Sequence, residues 1–415
     1  MMPKAVSRHR HPRLLPGLLL ACLLAVSGTA HSGATPVNLT AMIGSRDSLL
    51  VTDPTGRTVV AKNADSLLVP ASVTKVLTAL FALHALGPDF RFYTDFYLDA
   101  ESNLVIKGYG DPLLVSEVVA EAAEELARRI TRVRGIILDD SYFSAPVLVP
   151  GAAARSLEPY DAPNGGLCVN FNSVAFRKDP GTGRYVSAEP QTPLVPVVLP
   201  RIRSTKLASG RILLTNEGHE AVLYAGHLFD HFLTKAGIQT GRTVRPGSVR
   251  TESSRLLYRQ VSPYPLAEVI ERMLYFSNNY IANQLFIAAG AGQFGPPGNL
   301  DKGVRAITGY ADRILGIKGL RIEEGSGLSR GNRLSARMLE KILTAFEPHR
   351  RLMRKENGQY FKTGTLSGVQ TRAGYVETET GRPFRFVIMI NTPGKSVVPV
   401  MTRLFQALRS GADLK

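Results

Sequence analysis

Pro70-Ala71-Ser72-Val73-Thr74-Lys75-Val76-Leu77-Thr78-Ala79-Leu80-Phe81 is the stretch from which the fold of this 415-residue chain can be worked out. Val73, Val76, Leu77, Leu80 and Phe81 recur at helical spacing behind Pro70, so Ser72 is expected at or just inside a helix N-terminus. Lys75 follows one turn later on the same face, which puts its amine within reach of the Ser72 hydroxyl. That pairs a nucleophile with a base, beside backbone amides able to stabilise an oxyanion. The plainer reading is a capped amphipathic helix, because Ser-x-x-Lys arises about once by chance in a chain of this length.

Upstream, Lys4, Arg8, Arg10 and Arg13 precede an apolar stretch from Leu14 to Val26 and the small residues Gly28 and Ala30. This pattern predicts a secretory signal peptide, residues 1–30, cleaved after Ala30. An uncleaved anchor is the alternative, but Pro16 and Gly17 interrupt a run shorter than the roughly 20 residues a span requires. Cys22, behind Leu-Leu-Ala, raises a lipoprotein attachment site, yet apolar residues continue past it as in a signal core. The expected location is therefore periplasmic or extracellular. Cleavage leaves Cys168 as the lone cysteine, unable to form an internal disulfide.

Loss of the four leader cations lowers the formal charge of +16, and the remainder is still strongly basic. Such a balance suits an anionic partner such as a cell-envelope polymer, or only a generally basic proteome. Nucleic acid fits poorly, because the cations are scattered. The length implies more than one domain, and 44% hydrophobic residues make the chain globular.

Strands are expected at 48–52 and 58–61 around the turn Asp53-Pro54-Thr55-Gly56, and again between Phe90 and Ile106. A helix over 116–131 and a strand over 135–139 follow. Residues 141–260 are rich in Pro and Gly and read as the mainly β part of an insertion, with strands near 167–172, 173–177, 195–199 and 211–215 and a helix only from His227. Helical periodicity returns after Ser262-Pro263-Tyr264-Pro265 with 266–276, 280–289, 301–315 and 336–345. Three antiparallel strands, 360–366, 371–377 and 384–391, precede a terminal helix over 398–409, whose apolar side is expected to pack on the sheet, with a membrane-surface role as the alternative.

Two more motifs join the first. Ser277-Asn278-Asn279 lies between two helices and Lys362-Thr363-Gly364 lies on a strand. Ser-x-x-Lys, Ser-x-Asn and Lys-Thr-Gly each occur once, in that order, which is the signature set of penicillin-binding proteins and class A β-lactamases. With Leu86 to Phe92, Ile106 to Pro112, Val169 to Asn172, Gly325 to Arg330 and Lys362 to Val369, the sequence resembles the penicillin-binding protein 4 group of D-alanyl-D-alanine carboxypeptidases and endopeptidases, the class C low-molecular-mass penicillin-binding proteins.

The resemblance implies an α/β (α+β) fold: a serine transpeptidase/β-lactamase-like core of antiparallel sheet flanked by helices, formed by residues 31–89 and 263–415, with residues 90–262 inserted. It implies Ser72 as nucleophile, Lys75 as base, Ser277 as proton relay and Asn279 as a ligand of Lys75 and substrate. Lys362 and Thr363 would bind a substrate carboxylate, Gly364 would allow close approach, and the amides of Ser72 and Thr365 would form the oxyanion hole. Arg330 would bind a stem-peptide carboxylate or only hold its loop. Peptidoglycan stem peptides are the implied substrates and β-lactams the implied inhibitors, with no metal or cofactor, no nucleic acid and at most peripheral membrane contact. Group members that recognise diaminopimelate use an acid in the insertion, for which Glu158 and Asp161 are candidates. Asn278 departs from the Asp usual in the group. Two alternatives stay open: a serine β-lactamase, which needs a deacylating base for which no glutamate in a matching motif lies between Ser277 and Lys362, and a non-catalytic wall-binding protein, against which the intact Ser72 and Lys75 argue.

Overall fold

The computed structural model describes residues 37–410 and Leu414, apart from 145–146, 154–155, 216 and 379–380. The expected signal segment, with Cys22 and the cleavage point at Ala30, lies outside the described residues.

A six-stranded sheet orders the strands Arg354–Glu356, Gln359–Leu366, Val369–Val376, Phe384–Ile390, Asp47–Thr52 and Thr58–Lys62, every neighbouring pair antiparallel. Strand alternation divides its side chains between two cores. Leu50, Ala373, Tyr375, Val387 and Met389 face the helices Thr74–Leu86, Leu266–Phe276, Asn279–Phe294, Leu300–Arg313 and Ala336–Phe346. Leu49, Val51, Phe386, Ile388 and Ile390 face the terminal helix Val398–Ser410, which lays Val400, Met401 and Leu404 on them. The Thr74–Leu86 helix is mostly apolar and is buried nearly all round as far as Leu83, Thr74, Lys75 and Thr78 included, and it packs against the Asn279–Phe294 helix.

Between these segments stands a second sheet in the order Val244–Pro246, Ile136–Asp139, Leu104–Gly108, Tyr93–Leu98 and Arg255–Val261. The first two of its pairings are parallel and the last two antiparallel. Phe96, Leu104, Ile106, Ile136 and Leu138 bury one face under the helices Ser116–Ala127 and Glu220–Lys235. A small antiparallel sheet, Tyr185–Ser187, Ser173–Lys178 and Ser209–Leu213, and a short parallel pair, Arg132–Val133 with Gln239–Thr240, lie beside it.

Three elements here differ from expectation. Residues 167–172 end in a single 3-10 turn, with Asn170, Phe171 and Asn172 at φ of 52°, 60° and 47°. Asparagine tolerates that conformation, and the side chains fix it: Asn170 Nδ2 donates to Ser116 Oγ and Tyr224 Oη, while Asn172 Nδ2 donates to Pro163 O. Residues 195–199 form the 3-10 turn Pro196–Val198 running into the helix Leu199–Thr205, because Pro196 and Pro200 sit at helix starts, where their missing N–H costs nothing. The helix expected from His227 begins at Glu220, whose Oε2 accepts from Thr215 N and Thr215 Oγ1.

Among the described residues no helix is long and apolar enough to cross a membrane.

Candidate active site

Ser72 lies in the 3-10 turn Ala71–Val73, which runs directly into the Thr74–Leu86 helix. Ala71 has φ of 48°, a strained value for a residue with a Cβ, and its peptide with Ser72 is gripped from two sides. A Cβ on Gly327 would stand 1.9 Å from Ala71 O, and one on Gly364 would stand 2.8 Å from Ser72 N and 2.3 Å from Thr371 Oγ1. Only glycine permits both approaches. Thr371 Oγ1 also donates to Pro70 O at 2.8 Å, tying the turn to the sheet.

Lys75 is fully buried. Its Nζ lies 3.0 Å from Ser72 Oγ, 2.7 Å from Asn279 Oδ1 and 2.7 Å from Ser326 O. Burial, then the nearby Lys362 charge, push its pKa well below the ordinary lysine value, against an opposing pull from Glu324.

Ser277 closes the Leu266–Phe276 helix in a left-handed conformation, φ 55°, and turns the chain into the next helix. Asn278 caps that helix, its side chain accepting from Ile281 N at 2.9 Å, a task an Asp performs equally well. Lys362, 3% exposed, donates from Nζ to Ser277 Oγ at 2.7 Å and to Thr363 O at 2.8 Å. Burial lowers its pKa to about 8. Ser72, Lys75, Ser277, Asn279 and Lys362 are thus linked in two short hydrogen-bonded chains.

Thr365 lines a cleft of about 540 Å³ together with Ser72, Asn279, Asp161, Arg330 and Gly327. Thr363 is exposed, and strand alternation puts its side chain on the other side of the strand from Lys362 and Gly364. Arg330 donates to Ser367 O. Of the two acids considered, Asp161 borders the cleft, 9% exposed with Oδ1 unpartnered, while Glu158 is exposed outside it.

Sequence reading missed the group that shapes the 325–332 loop. The Glu324 carboxylate is fully buried and accepts from Ser326 N, Ser326 Oγ, Gly327 N, Ser329 N and Asn332 Nδ2. Asn283 Oδ1 accepts from Gly325 N, and Thr78 Oγ1 donates to Gly325 O. These bonds aim Ser326 O at Lys75. Among the described residues no group of three or more His, Cys, Asp or Glu could hold a metal ion.

Known proteins match this chain along most of its length. Carboxypeptidase DacB of Mycolicibacterium smegmatis is 25% identical over 445 residues, which cover 92% of this chain and 88% of that one. The fold is that of penicillin binding protein 4 (dacB) from Haemophilus influenzae, with a TM-score of 0.72 at 20% identity over 90% of this chain and 98% of the other. Bd3459, a predatory peptidoglycan endopeptidase of Bdellovibrio bacteriovorus, superposes with a TM-score of 0.52 at 18% identity over 88% and 92% of the two chains. The sequence model of one family matches residues 40–210 and 213–354, ending just short of Lys362, and by that match the chain belongs to the D-Ala-D-Ala carboxypeptidase 3 (S13) family.

Proposed function

We propose that this chain is a serine-type D-alanyl-D-alanine carboxypeptidase, also capable of endopeptidase action, working on peptidoglycan stem peptides and acylated by penicillin. The observation that carries this reading is the setting of Lys75 Nζ. Two of its three neighbours, Asn279 Oδ1 and Ser326 O, can only accept, and the third is the Ser72 hydroxyl. A neutral amine has two N–H bonds and one lone pair, so it satisfies both acceptors and leaves the lone pair for the serine proton. Burial and the Lys362 charge favour that neutral form.

Ser72 Oγ then attacks the carbonyl of the penultimate D-alanine as Lys75 takes its proton. The amides of Ser72 and Thr365 receive the oxyanion. Ser277 passes the proton to the departing amine, and the Lys362 ammonium attracts the terminal carboxylate. Water then hydrolyses the ester. Asp161 and Arg330 on the cleft wall supply opposite charges for the zwitterionic end of a diamino acid in the stem. Residues 31–89 and 263–415 form the peptidase core, residues 90–262 the insertion, and residues 1–30 a signal peptide that delivers the chain outside the cytoplasm.

Intact-mass spectrometry after benzylpenicillin treatment tests the reading. The expected result is one adduct on Ser72 that hydrolyses slowly, absent from Ser72→Ala and from folded Lys75→Ala, together with D-alanine release from a pentapeptide. An adduct elsewhere, undiminished labelling of Lys75→Ala, or rapid penicillin turnover would overturn it, the last in favour of a β-lactamase.

A further inference from the structure

The two activities attributed above to one site differ only in what leaves. In both, the departing amine belongs to a D-configured centre with a carboxylate beside it, so the Lys362 end of the site receives either group in the same way. What differs is the substituent: the methyl of D-alanine in one case, the aliphatic side chain of a diamino acid joined to a second stem in the other. A surface that favours the second must lie beyond Ser277 and Lys362, on the side away from the 540 Å³ cleft, whose lining includes Ser72 and Asn279 but neither Ser277 nor Lys362.

Tyr275 and Phe276 adjoin Ser277 in the chain. They are the last two residues of the Leu266–Phe276 helix, immediately before Ser277, and are 58% and 71% exposed. Their rings meet edge to face, centroids 4.9 Å apart, so each holds the other as a fixed apolar step. The inner face of the same helix buries Leu266, Val269, Ile270, Met273 and Leu274, so the fold has its core contacts without this pair. Two adjoining aromatic rings left in water beside a proposed proton donor are costly unless something covers them.

We propose that Tyr275 and Phe276 form the leaving-group platform for cross-linked stems, packing against the methylene chain of the second stem's diamino acid and making the pair a specificity determinant for endopeptidase action. This rests on the serine peptidase reading above. On such a substrate the Ser72 Oγ–acyl carbon bond forms and the D-alanyl C–N bond breaks. The serine proton passes through Lys75 and Ser277 to the freed side-chain amine, whose methylenes lie on the platform, and water later releases the D-alanyl carboxyl group from Ser72.

The test compares the full mature chain with Tyr275→Ser/Phe276→Ser on purified pentapeptide monomers and on cross-linked muropeptide dimers, with penicillin labelling as the control for an intact site. The expected result is wild-type labelling, monomer cleavage within about twofold of wild type, and a fall of about tenfold in kcat/KM on dimers, carried mainly by KM. Phe276→Leu, which keeps an apolar surface, should restore most of the dimer rate. Equal losses on both substrates, an unchanged dimer rate, or a labelled wild-type enzyme that ignores dimers would overturn the platform alone. A wild-type chain that neither labels nor cleaves monomers would overturn the peptidase reading beneath it.

Discussion

Replacing Lys362 by Arg should remove the alkaline limb from the pH profile of acylation. Lys362 is buried, and burial brings its pKa from 10.5 to about 8. In the proposed mechanism its charge serves twice, by attracting the substrate carboxylate and by disfavouring the ammonium of Lys75. With a pKa of about 8, roughly nine in ten Lys362 side chains are charged at pH 7 and one in ten at pH 9, so the wild-type rate should fall about tenfold over that interval. Arginine stays protonated throughout, so the variant should hold its rate from pH 7 to 9. Its absolute rate should be lower, because a planar fork does not reproduce the point contacts to Ser277 Oγ and Thr363 O. On the acid side the rate should rise with pH as Lys75 loses its proton, and the two apparent values will belong to the coupled pair. Linkage gives a second reading of the same residue. Its folded pKa lies below its unfolded one, so charged Lys362 costs the native state about 3 kcal/mol below pH 8, a cost relieved as pH rises toward 10.5. The assay is the second-order rate of labelling by a fluorescent penicillin from pH 5 to 10, with circular dichroism at each pH to show the fold intact. A persistent alkaline limb in folded Lys362→Arg, or a flat wild-type profile from pH 7 to 9, would refute the reasoning.

Glu324→Gln should lower stability by about 3 kcal/mol and slow penicillin acylation at least about tenfold, since an amide offers one acceptor oxygen where five donors converge and would set Ser326 O adrift from Lys75. Urea melts and labelling rates measure both. An unchanged or faster rate would contradict the positional role, because the loss of the Glu324 charge by itself favours neutral Lys75. Asp140, held by Leu167 N at 2.6 Å and raised by burial to about 7, should destabilise the fold increasingly as pH climbs from 3.8 toward 7 and fully above it. Asp140→Asn should therefore gain about 2 kcal/mol on wild type between pH 5 and pH 8 in denaturant melts, and a pH-independent difference would contradict the assignment.

The parts of this molecule that were legible in the sequence are those whose signal is local and periodic. Five strands of the six-stranded sheet and its flanking helices show alternation and helical spacing over whole elements, so their boundaries fall within a few residues of expectation, whereas the three-residue edge strand Arg354–Glu356 is too short to show a pattern. In residues 90–262 the signals are short and compete with side-chain chemistry. Asn170 and Asn172 turn what reads as a strand into a left-handed corner because their amides find buried partners more than 50 and about 10 residues away in sequence, respectively. Pro196 and Pro200 read as strand or loop punctuation, yet both open helices. Glu324 lies in a glycine-rich loop with no periodicity to mark it as buried, and only the folded loop explains why an acid stands there.

The site shows the same division at finer scale. Ser72, Lys75, Ser277, Asn279 and Lys362 could be listed from motif order, but their usefulness depends on the Ala71–Ser72 peptide, and that peptide is placed by contacts far away in sequence. Gly327 approaches it from one loop and Gly364 from the central sheet, each at a distance that excludes a methyl group, while Thr371 holds the Pro70 carbonyl next to it. The strain at Ala71 is the local cost of meeting all three at once. Turning the Ser72 amide into an oxyanion donor requires the peptide to be held before substrate arrives, because a donor that must reorient gives up much of its stabilisation in doing so. In the proposed mechanism the two glycines therefore belong to the catalytic geometry, although neither has a side chain to take part in the reaction.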